Sequence, residues 1–146
     1  MDLGYVSLNT PRDIAPAVLG AELESRGFES IWVGEHPQIP VAAGGQFHRS
    51  LLDAQKQMWD PFLSLLAAAQ ATTTLRLGTA VVLPLEHELF TMAKQVATLD
   101  HMSQGRLRLG SLDLGEQHFV DFSHIPAGAA EGVIGLDSLI GHQILI

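Results

Sequence analysis

A chain of 146 residues with 47% hydrophobic and 16% charged residues has room for one domain with a real core, and none of its apolar runs reaches the length of a membrane span. A net charge of −8 and the absence of cysteine argue against nucleic acid as a partner and exclude disulfides and thiolate metal sites. The start Met1-Asp2-Leu3 lacks the basic segment and apolar core of a signal peptide, so a cytoplasmic setting is the expectation.

Leu3-Gly4-Tyr5-Val6-Ser7-Leu8 reads as a first strand ending at the turn residues Asn9-Thr10-Pro11. Asp13 is placed to cap a helix with Pro16 in its first turn. Ile14, Val18, Ala21 and Ser25 would line one face of that helix, and Gly27 would end it. Ser30-Ile31-Trp32-Val33-Gly34 is a short strand apolar enough to be buried on both faces, and Glu35-His36-Pro37 leaves its C-terminal end. A long loop follows over residues 37–59, with a short helix expected around Ser50 to Met58. Asp60-Pro61 is a cap followed by a first-turn proline. Phe62, Leu65, Leu66 and Ala69 supply the buried stripe of the next helix, and Thr72-Thr73-Thr74 ends it.

The stretch from Thr72 to Gly110 organises the rest. Leu75 to Leu83 is β-prone and must stop at Pro84, which cannot donate to a sheet ladder. From Glu88, the residues Leu89, Met92, Ala93, Val96 and Leu99 fall on one helical face. Gly105 stands where a helix end favours positive φ, and Leu107-Arg108-Leu109-Gly110 begins another strand. This is a βαβ unit, implying a parallel, right-handed connection. The repeated strand–helix cadence belongs equally to a doubly wound sheet and to a TIM barrel.

A composition break follows. All Lys and Arg residues lie between Arg12 and Arg108, so the first 108 residues carry −3 and the remaining 38 carry −5. Residues 111–146 have neither a steady helical nor a steady strand period, and Gly128, Gly132, Gly135 and Gly141 punctuate them. We therefore divide the chain into residues 1–110, a β/α region, and an acidic, glycine-rich tail over 111–146.

LRLGTAVVLPLEHELFTMAKQVATLDHMSQGRLRLG resembles the third-to-fourth-strand segment of the luciferase-like flavin and deazaflavin oxidoreductases, and RGFESIWVGEHPQIP resembles their second strand. This resemblance runs over about residues 3–110. It implies an α/β fold, a partial TIM barrel made of the first four β/α units. It also implies a small-molecule substrate and a ring cofactor, the deazaflavin coenzyme F-420 in preference to FMN. Glu35 and His36 match the family's acid–histidine pair beside the ring, the histidine serving as acid/base. Physically, an imidazole that ionises near neutrality can take a proton from a substrate alcohol as hydride leaves. Gly78, Thr79, Ala80 and Val81 match the ring-backing strand, with the family's non-proline cis peptide falling at Ala80–Val81. Ser111 opens the segment that replaces the family's glycine-rich turn, and no glycine-rich phosphate cradle stands elsewhere in the chain.

Other readings compete. His36 could simply close a strand end through loop hydrogen bonds, and Thr79 to Val81 could be plain buried strand. A truncated, inactive product or interaction module fits the charge break. Glu86-His87-Glu88, taken with Glu35-His36, could be drawn as an oxygen–nitrogen metal site for a hydrolase on a barrel scaffold. Acidic residues at a helix start are favoured by its dipole in any case, so no metal is assigned. A four-strand arc exposes its sheet edges and inner face, which makes a homo-oligomer the expectation, with the apolar Val133 to Ile146 folding over one edge.

Overall fold

The computed structural model describes residues 3–39, 53–113 and 116–121. Four strands, β1 (Gly4–Ser7), β2 (Ser30–Val33), β3 (Arg76–Thr79) and β4 (Leu107–Asp113), pair side by side in chain order. All three pairings are parallel, and the register aligns Val6 with Trp32, Trp32 with Gly78, and Gly78 with Arg108. The helices α1 (Pro16–Ser25), α2 (Pro61–Gln70) and α3 (Leu89–Met102) connect them. The parallel β/α order expected from the sequence is thus present.

Alternation along the strands turns Ile31, Val33, Leu77, Leu107 and Leu109 toward the helices. There they form one core with Leu19, Leu23, Phe62, Leu65, Met92, Val96 and Leu99. Leu65 and Leu77 are fully buried, so truncating either to Ala should cost about 2–5 kcal/mol.

The helix starts follow their caps. Asp60 accepts a hydrogen bond from Leu63 N at 2.8 Å with Pro61 in the first turn, and Glu88 accepts from Thr91 N at 2.7 Å. The buried residues of α3 are Met92, Ala93, Val96 and Leu99, with Leu89 left 37% exposed. Gly105 has φ +78° after that helix, the conformation its position requires.

Helix α1 departs from expectation. Asp13 does not cap it; its Oδ2 accepts from Thr10 N and Thr10 Oγ1, closing the turn before the helix, and Ala15 takes the cap position without a side-chain bond. The buried face is Leu19, Gly20 and Leu23, whereas Ile14 and Val18 are each 57% exposed. Packing decided this. Gly20 lies against α2 so closely that an added Cβ would stand 3.2 Å from the Ala68 Cβ, and only that face permits the approach.

Two polar clamps join the elements. Glu24 at the end of α1 accepts from Thr73 N, Thr74 N, Thr74 Oγ1 and Leu75 N, which begin the approach to β3. Partial desolvation opposes its charge, but the bonds from Thr74, Leu75 and Thr73 outweigh it and bring the pKa from 4.5 down to about 2. Arg106, just before β4, donates to Ser103 O, Thr72 Oγ1, Leu75 O, Ala69 O and Thr72 O. It thereby serves Ala69 O in the last turn of α2, together with carbonyls of the links that follow α2 and α3.

Past Gly110 the chain is more regular than its sequence suggests. Strand β4 continues to Asp113, and β5 (Glu116–Asp121) returns antiparallel beside it, with Asp113 opposite Glu116 and Arg108 opposite Asp121. The expected helix near residues 50–58 is helical at 53–55; residues 40–52 and the Val133 to Ile146 segment lie outside the described residues.

Candidate functional site

Ligands of parallel α/β architectures gather at the C-terminal strand ends, and here those ends form a continuous rim. At the end of β1, Asn9 is 2% exposed and adopts φ +60°. Its Nδ2 donates to Trp59 O at 3.0 Å, and Trp59 N donates to Asn9 O at 2.8 Å. This double link holds residues 58 and 59 against the rim. Met58 leans over Gly34, where an added Cβ would come 2.9 Å from its Cε.

At the end of β2 the consecutive residues Glu35 and His36 part company. Glu35 is 8% exposed, continuing the helix-facing alternation of Ile31 and Val33. Its Oε2 accepts from Leu83 N at 2.7 Å, and its Oε1 lies 2.7 Å from His87 Nε2. His36 is exposed. Both carboxylate oxygens therefore serve Leu83 and His87.

The end of β3 is held from both sides. Thr79 is fully buried; its hydroxyl donates to Gly110 O at 2.7 Å and accepts from Gly110 N at 2.9 Å. Ala80 N donates to Val33 O on β2, and Val82 N to Gly110 O on β4, at 2.7 and 2.8 Å. Between these ties the Ala80–Val81 peptide is cis, at the bond expected. Regular strand pairing ends at Thr79, and Val82 resumes it as a single parallel bridge to Ser111.

Gly78 faces something the sequence did not announce. A Cβ there would fall 2.1 Å from Trp32 Cε3, so the indole of Trp32 lies across it. Trp32 Nε1 donates to Ser30 Oγ at 2.9 Å, and a Cβ on Gly4 would come 3.2 Å from that same nitrogen. Glycines on both neighbouring strands thus make room for one ring beneath the rim. The signal was a lone strand tryptophan opposite Gly78 and diagonal to Gly4, and register is invisible before the strands are paired.

Glu86, His87 and Glu88 take three separate tasks. Glu86 Oε2 accepts from Gln38 Nε2, His87 turns inward to Glu35 with its ring edge-on to Phe62 at 6.1 Å, and Glu88 caps α3. The Thr91 hydroxyl, then the N–H groups of Thr91 and Phe90, hold the Glu88 carboxyl below its ordinary pKa. Among the described residues, no group of three or more His, Cys, Asp or Glu side chains is arranged to hold a metal ion, and no helix is long and apolar enough to cross a membrane.

An uncharacterized protein of Mycobacterium tuberculosis is 41% identical over 116 residues, covering 75% of this chain and 41% of the relative; the match thus spans about two-fifths of that protein's length. The coenzyme F420 dependent tetrahydromethanopterin reductase from Methanopyrus kandleri superposes with a TM-score of 0.53 at 23% identity, over 75% of this chain and 26% of that one. The oxygenating constituent of 3,6-diketocamphane monooxygenase from Pseudomonas putida, in complex with FMN, gives 0.60 at 18%, over 77% and 29%. At these identities the two structures speak for the fold, that of part of a luciferase-like TIM barrel. The sequence profile of luciferase-like monooxygenases matches residues 7–139, beyond Gly110 where the motifs stop. With nine-tenths of its length matched by that profile, the chain belongs to the luciferase-like monooxygenase family.

Proposed function

We propose that these residues form the ring-binding end of an oxidoreductase that works on a small molecule with a flavin-type cofactor, the deazaflavin F-420 before FMN. The observation that carries the reading is the rim at β2 and β3. One step past the register pair Val33–Thr79, Gly34 and Ala80 offer almost no side chain, and Ala80 N and Val82 N are committed to β2 and β4. A flat ring laid there would meet backbone, the Ala80 methyl group and the tip of Met58, which lies over Gly34. The preference for F-420 rests on the WVGEHP motif alone, since the superposed structures include both an F420 dependent reductase and a monooxygenase in complex with FMN.

A bound flavin or deazaflavin would supply hydride acceptance or donation. The chain's own part is then small and specific. His36, exposed beside the rim, would take or return a proton at an imidazole nitrogen as the substrate is oxidised or reduced. Thr79 ends β3, and Ser111 lies within β4 at its bridge to Val82, the two strands being tied by Thr79 through Gly110. Trp32 closes the space below, excluding water from the underside of the site.

Titration of the pure protein with F-420 and with FMN, followed by ring fluorescence, tests this. Saturable binding of either supports a flavin-type site, and tighter F-420 binding supports the finer assignment. The expected homo-oligomer belongs to the same reading; sedimentation at micromolar concentration agrees with it if the species has at least twice the chain mass.

A further inference from the structure

Glu35 is a buried carboxylate that the proposed chemistry does not use. Its side chain is 5% exposed, and an ionisable group so placed needs partners for both oxygens. It finds them in Leu83 N and His87 Nε2, each at 2.7 Å. Both partners follow the Ala80–Val81 bond: Leu83 directly precedes the 3₁₀ turn Pro84–Glu86, and His87 directly follows it. The amides along this segment are tied to three different places. Ala80 N reaches β2, Val82 N reaches β4, and Leu83 N reaches the Glu35 carboxylate. His87 passes the anchor on to the first turn of α2 through its edge-on contact with Phe62.

We propose that Glu35 is a positioning residue: it acts on the cofactor ring without touching it, by fixing the segment 80–83, which spans from β2 to β4, through Leu83 and His87. The inference rests on the ring-binding reading above. A carboxylate acting directly on substrate would instead be expected on the exposed side of the rim, where His36 lies.

The test compares Glu35→Ala and Glu35→Gln in the full chain. It reads Leu83 amide exchange, the ring-nitrogen NMR signals of His87, and affinity for F-420 and FMN. Removing the carboxylate should speed Leu83 exchange about 30-fold, shift the His87 signals and weaken ring binding about tenfold. Glutamine keeps an oxygen for Leu83 N–H, so it should restore Leu83 protection and part of the affinity, leaving about a threefold loss, while the His87 signals still move. If Glu35→Ala does not fold, the His87 shift and a ring affinity lowered about threefold in Glu35→Gln carry the decision. Unchanged Leu83 exchange and His87 signals overturn the proposal, as does faster exchange with unaltered ring affinity. Wild-type protein that binds neither ring defeats the functional reading, and with it the ring-directed part of this one. The exchange and imidazole signals then report separately whether Glu35 holds the segment.

Discussion

Glu35 and His36 are adjacent in sequence, and substitution should separate them cleanly. His36 is exposed, so His36→Ala should leave the thermal midpoint nearly unchanged while lowering turnover about 100-fold if it is the acid/base. Unaltered turnover and ring affinity would remove it from the site. Glu24 makes a pH prediction with a definite sign. Its folded pKa, about 2, lies below the ordinary 4.5, so the stability it contributes is present above about pH 4.5 and is lost as pH falls toward 2. Its half-exposed setting limits the effect to about 1 kcal/mol. Glu24→Gln should remove that increment at neutral pH and flatten the acid limb of a denaturation series; an unchanged limb would show that the clamp adds nothing.

Among the elements, the start of α2, the end of α3 and the buried faces of both were legible, whereas the cap and the face of α1 were not. Asp60-Pro61 and Gly105 act through local geometry, and the structure keeps them where the sequence put them. The buried face of α1 was not legible, because Ile14 and Val18 repeat at helical spacing yet face outward while Gly20 makes the contact with α2. A glycine adds nothing to a hydrophobic pattern. Gly20→Leu should therefore destabilise by about 1–3 kcal/mol through overpacking, read as a lower urea midpoint, whereas Val18→Ala should be close to neutral. Arg106 is the other element-scale test. Its planar fork serves five acceptors on three segments, so Arg106→Lys should lose about 2–3 kcal/mol despite keeping the charge. A Lys variant as stable as the parent would contradict the clamp.

Across the whole molecule, the parallel order β1-β2-β3-β4 followed from cadence and caps, but the antiparallel β5 did not. Its signal, Gln117-His118-Phe119-Val120 after a two-residue link, lacks the Asn-Gly or Asp-Gly pair that marks tight hairpins. The site was legible to the same extent. The positions at strand ends were named in advance, whereas the partners Glu35–His87 and Trp32–Gly78 depend on register and on contacts 46 to 52 residues apart. Those contacts make the proposed ring surface a property of the packed β2–β3–β4 rim. The most direct measurement is a titration of wild type and Ala80→Leu with F-420 and FMN at neutral pH. Wild type should bind at least one ring saturably with Kd below about 100 μM, and Ala80→Leu should lose that binding with its fold intact by circular dichroism. No binding by wild type, or equal binding by the leucine variant, would contradict it.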